Sequence, residues 1–312
     1  MKIRLLSGIC YIALLVAFYC LKIFLPQPYG DFCFDGMLYV FGLIGTFEML
    51  RAMGDRVTKK QCGIVYAFAA LAIPASVLFE YWIGSGGGML ALCVCVLALS
   101  VALLSLLVVA HEETSLESLG VAFLSAVYPT LLLCVLALGN HAAPNSELAS
   151  IGFDSRLFVL FVFIVSPCAD SIAYVFGRFL KKYFPKKMAP KLSPNKTVIG
   201  GIGGLVGGML GALVLFYVYN AALGDVYGVN SIDAAAVDNA QIWLPIYLII
   251  GLLGAVATAF GDLVESCIKR KVGLKDMGNI MPGHGGVLDR LDGTMFASLI
   301  TYVIFIILYA IF

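Results

Sequence analysis

The stretch "GMLALCVCVLALSVALLSLLVVA", residues 88–110, runs 23 positions without a charged side chain. A helix rises 1.5 Å per residue, so about 20 such residues cross the roughly 30 Å hydrocarbon layer of a bilayer. Backbone amides in lipid must find partners within their own segment, and an open strand edge offers none, so the helix is the required form. Comparable apolar blocks recur along the chain at approximately 5–25, 34–50, 62–83, 119–139, 156–177, 198–222, 243–264 and 292–312. Composition agrees: 61% of the 312 residues are hydrophobic, 12% are charged and the mean hydropathy is +0.99, far from soluble proteins. The sequence predicts an all-α polytopic membrane protein with about nine transmembrane helices and no soluble domain.

The first block follows Lys2 and Arg4 and so imitates a signal peptide, but it is long and lacks a clear small-residue cleavage site. It is read as a retained span. The division expected is 1–150, five spans of scaffold, and 151–312, four spans that carry the chemistry.

Lys and Arg fix the expected orientation. With the N-terminus cytoplasmic, one side receives Lys2 and Arg4, then Arg51, Arg56, Lys59 and Lys60, then the dense loop after span six and the loop before span nine. The other side receives "PQPYGDFCFD", "GSGGG", "GNHAAPNSELASIGFD" and "GDVYGVNSIDAAAVDNAQ", which hold acids but no Lys or Arg. Only Lys22 and Arg156, at the matching helix ends, break the asymmetry, and this is the positive-inside pattern. The net charge of +1 gives no reason to expect a nucleic-acid partner. Nine cysteines form no CxxC, and six of them lie within apolar runs, so they read as small packing residues. Span seven, "VIGGIGGLVGGMLGALVLF", has glycines four apart at 200, 204 and 208 and at 203, 207 and 211; close helix packing explains it better than a nucleotide loop, since no strand precedes it.

Few charges enter the apolar spans. Glu48 and Glu80 lie near helix ends, where snorkelling or capping is the plain reading. Asp170 falls mid-span in "VSPCADSIAYVFGRFLKK" beside Ser166, Ser171 and Tyr174, a polar stripe that belongs against a bundle interior or a wet cavity. Span eight ends "AVATAFGDLVESCIKRK", which sets Asp262, Glu265 and Ser266 on one helical face. Those carboxylates suit a hard cation such as Mg²⁺, and a plainer reading is also available in which Glu265 pairs with Lys269. In "PGHGGVLDRLDG", residues 282–293, Asp289 and Asp292 stand three apart at the start of span nine with Arg290 between them, and Gly283, Gly285 and Gly286 free the backbone around His284. The loop "KLSPNKT" carries Lys191, Ser193, Lys196 and Thr197, donors suited to phosphate oxygens, and part of its charge is topogenic. Cationic donors on one loop and carboxylates on another suit metal-assisted transfer between phosphate groups.

These residues resemble a known family. "SCIKRKVGLKDMGNIMPGHGGVLDRLD", residues 266–292, is similar to the signature of the phosphatidate cytidylyltransferases, S-x-x-K-R-x4-K-D, a small residue, then H-G-G-x-x-D-R-x-D. Ser266, Lys269, Arg270, Lys275, Asp276, Gly278, His284, Gly285, Gly286, Asp289, Arg290 and Asp292 meet it; Met281 departs mildly, standing where Leu, Ile or Phe is usual. "GDLVES", "D-S-x-A-Y-x-x-G" and "K-x-S-P-x-K-T" also resemble the family, whereas the first five spans match by hydropathy alone. The resemblance implies a reaction of CTP with phosphatidic acid that gives CDP-diacylglycerol and pyrophosphate and requires Mg²⁺. It implies Asp262 and Asp289 as metal-binding aspartates, with Glu265 a further metal candidate from its spacing, and leaves room for a second metal or a monovalent cation. Asp170, Ser193, Lys196, Thr197, Ser266, Lys269, Arg270, Lys275, His284, Arg290 and Asp292 would form the phosphate and nucleotide shell, with Lys269, Arg290 and His284 nearest the chemistry. No covalent nucleophile is needed, because the lipid phosphate is already an anion. Expected partners are CTP, phosphatidic acid and membrane lipids, and a homodimer is compatible with the sequence. The active site is expected at the cytoplasmic side of the C-terminal helices. The compact chain without a soluble N-terminal extension points to a bacterial cytoplasmic membrane. Three other readings stay open: a CDP-alcohol phosphotransferase, whose hallmark is missing after Asp292; a CTP-using polyprenol kinase; and a cation-coupled transporter using Asp170 and Asp262.

Overall fold

A computed structural model describes residues 2–142, 153–222, 240–283 and 285–311 of the chain. His284 and most of two of the Lys- and Arg-free loops lie outside the described residues. Among the described residues nine helical segments are long and apolar enough to cross a membrane. They are formed by α1 (Lys2–Phe24), α2 (Tyr29–Met53), α3 (Lys59–Ile83), α4 (Gly87–Val109), the pair α5 (Leu116–Ala126) and α6 (Leu132–Asn140), α7 (Ser155–Phe179), α8 (Val198–Ala222), α9 (Ala240–Val272) and α10 (Leu288–Ile311). The chain is a multi-pass membrane protein. Helix α5 joins α6 through one π-helical stretch, Val127–Leu131, around Pro129, whose missing N–H interrupts the regular ladder. Between α7 and α8 lies a small antiparallel hairpin, β1 (Lys187–Ala189) and β2 (Ser193–Thr197), with Lys187 paired to Thr197 and Ala189 to Ser193. Helix α9 outruns its expected span: 33 residues at 1.5 Å each extend about 50 Å.

Two compact units divide the chain, Met1–His141 with Lys271–Leu291, and Ala142–Arg270 with Asp292–Phe312. Residues 271–291 thus belong to the first unit, together with the N-terminal helices. Its helices are closed by side chains where the backbone leaves amides free. Thr58 and Gln61 make a reciprocal capping box at α3, and Ser115 and Ser118 do so at α5. Glu80 accepts from the Gly86 and Gly88 amides at 3.3 and 2.8 Å and so caps α4. In the core of this unit Thr46 and Thr130 hydroxyls meet at 2.9 Å.

Lys22 is buried. Its ammonium contacts Asp31 and donates to the Asn140 carbonyl at 3.1 Å. Beside it Asn140 donates to Asp35 at 2.9 Å, and the His141 Nε2 lies 2.5 Å from the other Asp35 oxygen. Burial alone would lower the His141 pKa, but the hydrogen bond and charge of Asp35 outweigh it and raise the value above the usual 6.5. A raised folded-state value stabilises the fold fully below the unfolded pKa and loses that contribution as pH climbs through the raised one. The detergent-solubilised protein should therefore melt higher near about pH 6 than near about pH 8.5, and His141→Gln should flatten the difference. An unchanged slope in that variant would remove His141 from the linkage.

The second unit packs through small residues. A Cβ on Gly203 would lie 2.6 Å from the Phe176 side chain, and one on Gly207 2.6 Å from the Cys168 carbonyl, so this face of α8 lies directly against α7. On the other face a Cβ at Gly208 would lie 2.4 Å from the Gly251 carbonyl of α9. The glycine spacing is scaffold, as the sequence predicts. Aromatic rings fill the rest: Phe153, Phe161 and Phe216 surround Tyr247, and Phe305 packs on Phe153 and Phe161, with centroids of these pairs 4.8–6.1 Å apart. Asp154 caps α7 through the Arg156 and Leu157 amides at 2.8 and 3.2 Å and also binds the Arg156 guanidinium. Both cations that break the charge asymmetry, Lys22 and Arg156, are thus neutralised by an adjacent aspartate.

Candidate active site

The hairpin and three helices of the second unit enclose a cavity of about 790 Å³, inside the roughly 300–1,000 Å³ range of small-molecule sites. Part of its lining is small and apolar, from Ala169, Ala173, Gly200, Gly204, Ala255 and Ala259. Around it stand Asp170, Arg178, Lys181, Lys187, Lys196 and Asp262. The sequence explains why these meet. Close packing of the α8 glycines on α7 and α9 brings Asp170 and Asp262 to one cavity, and β2 feeds directly into α8, so Lys196 arrives two residues before the helix. Thr197, next in line, is buried and accepts from the Gly200 amide at 3.1 Å, capping α8. On α7 the Arg178 guanidinium donates to the Tyr174 hydroxyl at 2.6 Å.

On α9 the Asp262 carboxylate contacts the Lys196 ammonium and accepts from the Ser266 hydroxyl at 3.4 Å. One turn on, Glu265 is buried and pairs with Lys269 at 2.7 Å. Glu265 also hydrogen-bonds Asp292, which lies within the field of Asp262 and Lys269. Arg270 reaches the Leu192 carbonyl in the hairpin turn at 3.4 Å. Three carboxyl groups and two ammonium groups thus interlock at one end of the second unit. Among the described residues no three His, Cys, Asp or Glu side chains form a metal cage. Mg²⁺ does not need one, since it keeps several waters and takes one or two carboxylates plus phosphate oxygens. The half-buried Asp262 fits that need, and an ammonium already stands at its oxygen as a stand-in cation.

The remaining signature residues belong to the first unit. Asp289, in the first turn of α10, is buried, and its Oδ2 accepts from the Met277 and Gly286 amides at 2.8 Å each. Gly285, at φ +87°, closes the loop through a bond from the Met281 amide to its carbonyl at 2.9 Å. Lys275, Asp276 and Arg290 are exposed. Glu48 of α2 accepts from the Val287 and Leu288 amides at 3.0 Å each.

The sequence model of the cytidylyltransferase family matches residues 2–308, nearly the whole chain. The chain belongs to the cytidylyltransferase family. Its relatives include the phosphatidate cytidylyltransferases of Staphylococcus haemolyticus, 36% identical over 143 residues, and of Staphylococcus saprophyticus, 40% identical over 141. That of Staphylococcus aureus is 37% identical over 139 residues. Each alignment spans 45–46% of this chain and the same share of the relative, so the chain covers about half the length of the curated relatives it matches.

Within this cytidylyltransferase-family chain the second unit brings together Asp170, Ser193, Lys196, Thr197, Asp262, Glu265, Ser266, Lys269, Arg270 and Asp292 along the hairpin, the cavity and the adjoining carboxyl cluster. The first unit holds Lys275, Asp276, Asp289 and Arg290 on or beside the signature loop. Sequence reading did not single out Lys181, Lys187 or Asn195 as cavity residues, because their position depends on a hairpin whose strands are short and rich in Lys and Pro. For Glu48 and Glu80 capping is what the structure shows.

Proposed function

We propose that the chain transfers the cytidylyl group of CTP to phosphatidic acid, giving CDP-diacylglycerol and pyrophosphate. The observation that carries this is the cavity at a membrane-spanning unit, lined at once by three lysines, an arginine and two aspartates, in a chain of the cytidylyltransferase family. A phosphate oxygen of the lipid attacks the α-phosphorus of CTP, the bond from that phosphorus to the bridging oxygen breaks, and pyrophosphate leaves with the electron pair. Arg178, Lys181 and Lys187 offset the triphosphate charge, and Lys196 can pass from Asp262 to a phosphate oxygen without leaving the cavity wall. The small apolar lining residues leave room for a base or an acyl chain close to the helix backbones. Mg²⁺, when bound, polarises phosphate oxygens and neutralises developing charge; in the second unit Asp262 would hold it, and for Asp289 of the first unit a metal-binding role is what the motif resemblance implies. Orientation and charge neutralisation do the rest, since the attacking group is already an anion.

The positive side of the chain carries the hairpin lysines, so the reaction is proposed to face the cytoplasm, in a bacterial inner membrane. The test uses purified protein in detergent with phosphatidic acid, Mg²⁺ and CTP labelled in turn at the α- and γ-phosphates. Label from the α position should enter the lipid fraction as CDP-diacylglycerol, and label from the γ position should appear in pyrophosphate. Transfer of γ-label to lipid would replace this reading with a CTP-dependent kinase, and no transfer alongside an active control would sink both.

A further inference from the structure

Glu48 sits on the sixth turn of α2, 1% exposed, and both its oxygens are engaged by the backbone that starts α10. The residue at the cap position there is Val287, which has no oxygen to offer the free amides. A carboxylate from 239 residues earlier in the chain supplies it instead, with its charge at the positive end of the helix.

The loop is shaped to admit that carboxylate. A Cβ on Gly278 would stand 2.1 Å from Glu48 Oε1, and a Cβ on Gly286 would stand 2.3 and 2.4 Å from its two oxygens. Neither glycine needs a left-handed backbone, as neither has positive φ, so closeness to Glu48 is what excludes a side chain at both. One turn on, Arg51 of α2 reaches the Asn279 side chain at 3.4 Å, a second grip on the same loop. The Gly286 amide donates to Asp289, and the next two amides donate to Glu48, so consecutive backbone groups are shared between the two carboxylates.

We propose that Glu48 is a positioning residue for the transfer reaction: it fixes the backbone at Gly278 and at 286–288 so that Asp289 is held in one rotamer by the Met277 and Gly286 amides. The proposal rests on the role given to Asp289 above. Helix capping by itself would need only a polar residue at 287; two glycines cut to fit a distant carboxylate show that loop shape is being set. Groups that orient a metal-binding carboxylate are typically worth about 10–100-fold in metal affinity or activity.

The experiment compares wild type, Glu48→Gln, Glu48→Ala, Gly286→Ala and the double variant Glu48→Ala/Gly286→Ala. Three readouts are taken on full-length protein in detergent: Mn²⁺ affinity by electron paramagnetic resonance without substrate, hydrogen exchange of 277–288, and kcat with KM for CTP. Glu48→Gln keeps one acceptor oxygen and should stay folded, yet weaken Mn²⁺ binding and lower kcat by about 10-fold or more with KM for CTP changed little. Gly286→Ala should be the more damaging single change, and its loss should shrink in the Glu48→Ala background, where the new methyl group takes the vacated space. Wild-type Mn²⁺ affinity and loop exchange in Glu48→Gln would overturn the proposal, as would strict additivity of Glu48→Ala and Gly286→Ala. If Glu48→Ala does not fold, Glu48→Gln alone decides. Should wild type form no CDP-diacylglycerol, the reaction assigned above fails, while Mn²⁺ binding and loop exchange still judge Glu48.

Discussion

Asp262→Asn should lower the rate of CDP-diacylglycerol formation by about three orders of magnitude or more while leaving the protein folded. The amide keeps the shape of the carboxylate and can still accept from the Ser266 hydroxyl. What it loses is the charge that faces Lys196 and the cavity. Without it a hard cation has a neutral ligand in place of an anionic one, and Lys196 loses the partner that holds it at the wall. Because Asp262 is about a third exposed, the change should cost little stability, and exposed ion pairs contribute only about 0–1 kcal/mol. The measurement is initial rate against Mg²⁺ concentration with α-labelled CTP, together with the melting midpoint. A near-normal rate at ordinary Mg²⁺ would take Asp262 out of the cation site.

Spans were legible in the sequence because the free energy behind them is large and local. Residues 88–110 have no charge to place in lipid, and every backbone group must be satisfied within the run. Span ends were less legible. Helix α9 continues to Val272 although hydropathy falls after residue 264, because Glu265 and Lys269 pair one turn apart and let charge stay on the helix. The same pair shows how a spacing can be right and its meaning still double: Asp262 and Glu265 do lie on one face, but Glu265 is buried on Lys269 and Asp292 whereas Asp262 opens to the cavity.

Long-range polar contacts were beyond sequence reading. Nothing near residue 48 announces that its partners are two amides at 287 and 288, and the clue at the far end is an omission, a valine where a helix start usually has Ser, Thr, Asp or Asn. The glycines of "PGHGG" were legible as close approach of main chain to something. The structure shows that for Gly286 the approaching group is a protein carboxylate. The hairpin was hidden for a different reason. Strand propensity is weak beside tertiary context, and "KMAPKLSPNKT" reads as a charged turn until α7 and α8 pack close enough to seat it.

Asp289→Asn should be as damaging to rate as Asp262→Asn, and the contrast with Asp289→Ala separates charge from architecture. The Asp289 Oδ2 accepts two amides, and in the asparagine variant the single amide oxygen can take its place. The loop should then keep its shape, with hydrogen exchange at Met277 and Gly286 close to wild type, while the rate falls by about three orders of magnitude for want of the negative charge. In Asp289→Ala both amides lose their acceptor in a buried setting, at a cost of about 1–3 kcal/mol each. Exchange at Met277 and Gly286 should rise steeply and the melting midpoint should fall. If Asp289→Asn retains both loop protection and rate, the aspartate is a loop fastener and its charge has no part in the reaction. If it loses the rate and keeps the protection, one buried carboxylate serves two ends: Oδ2 holds the loop, and its negative charge serves the transfer.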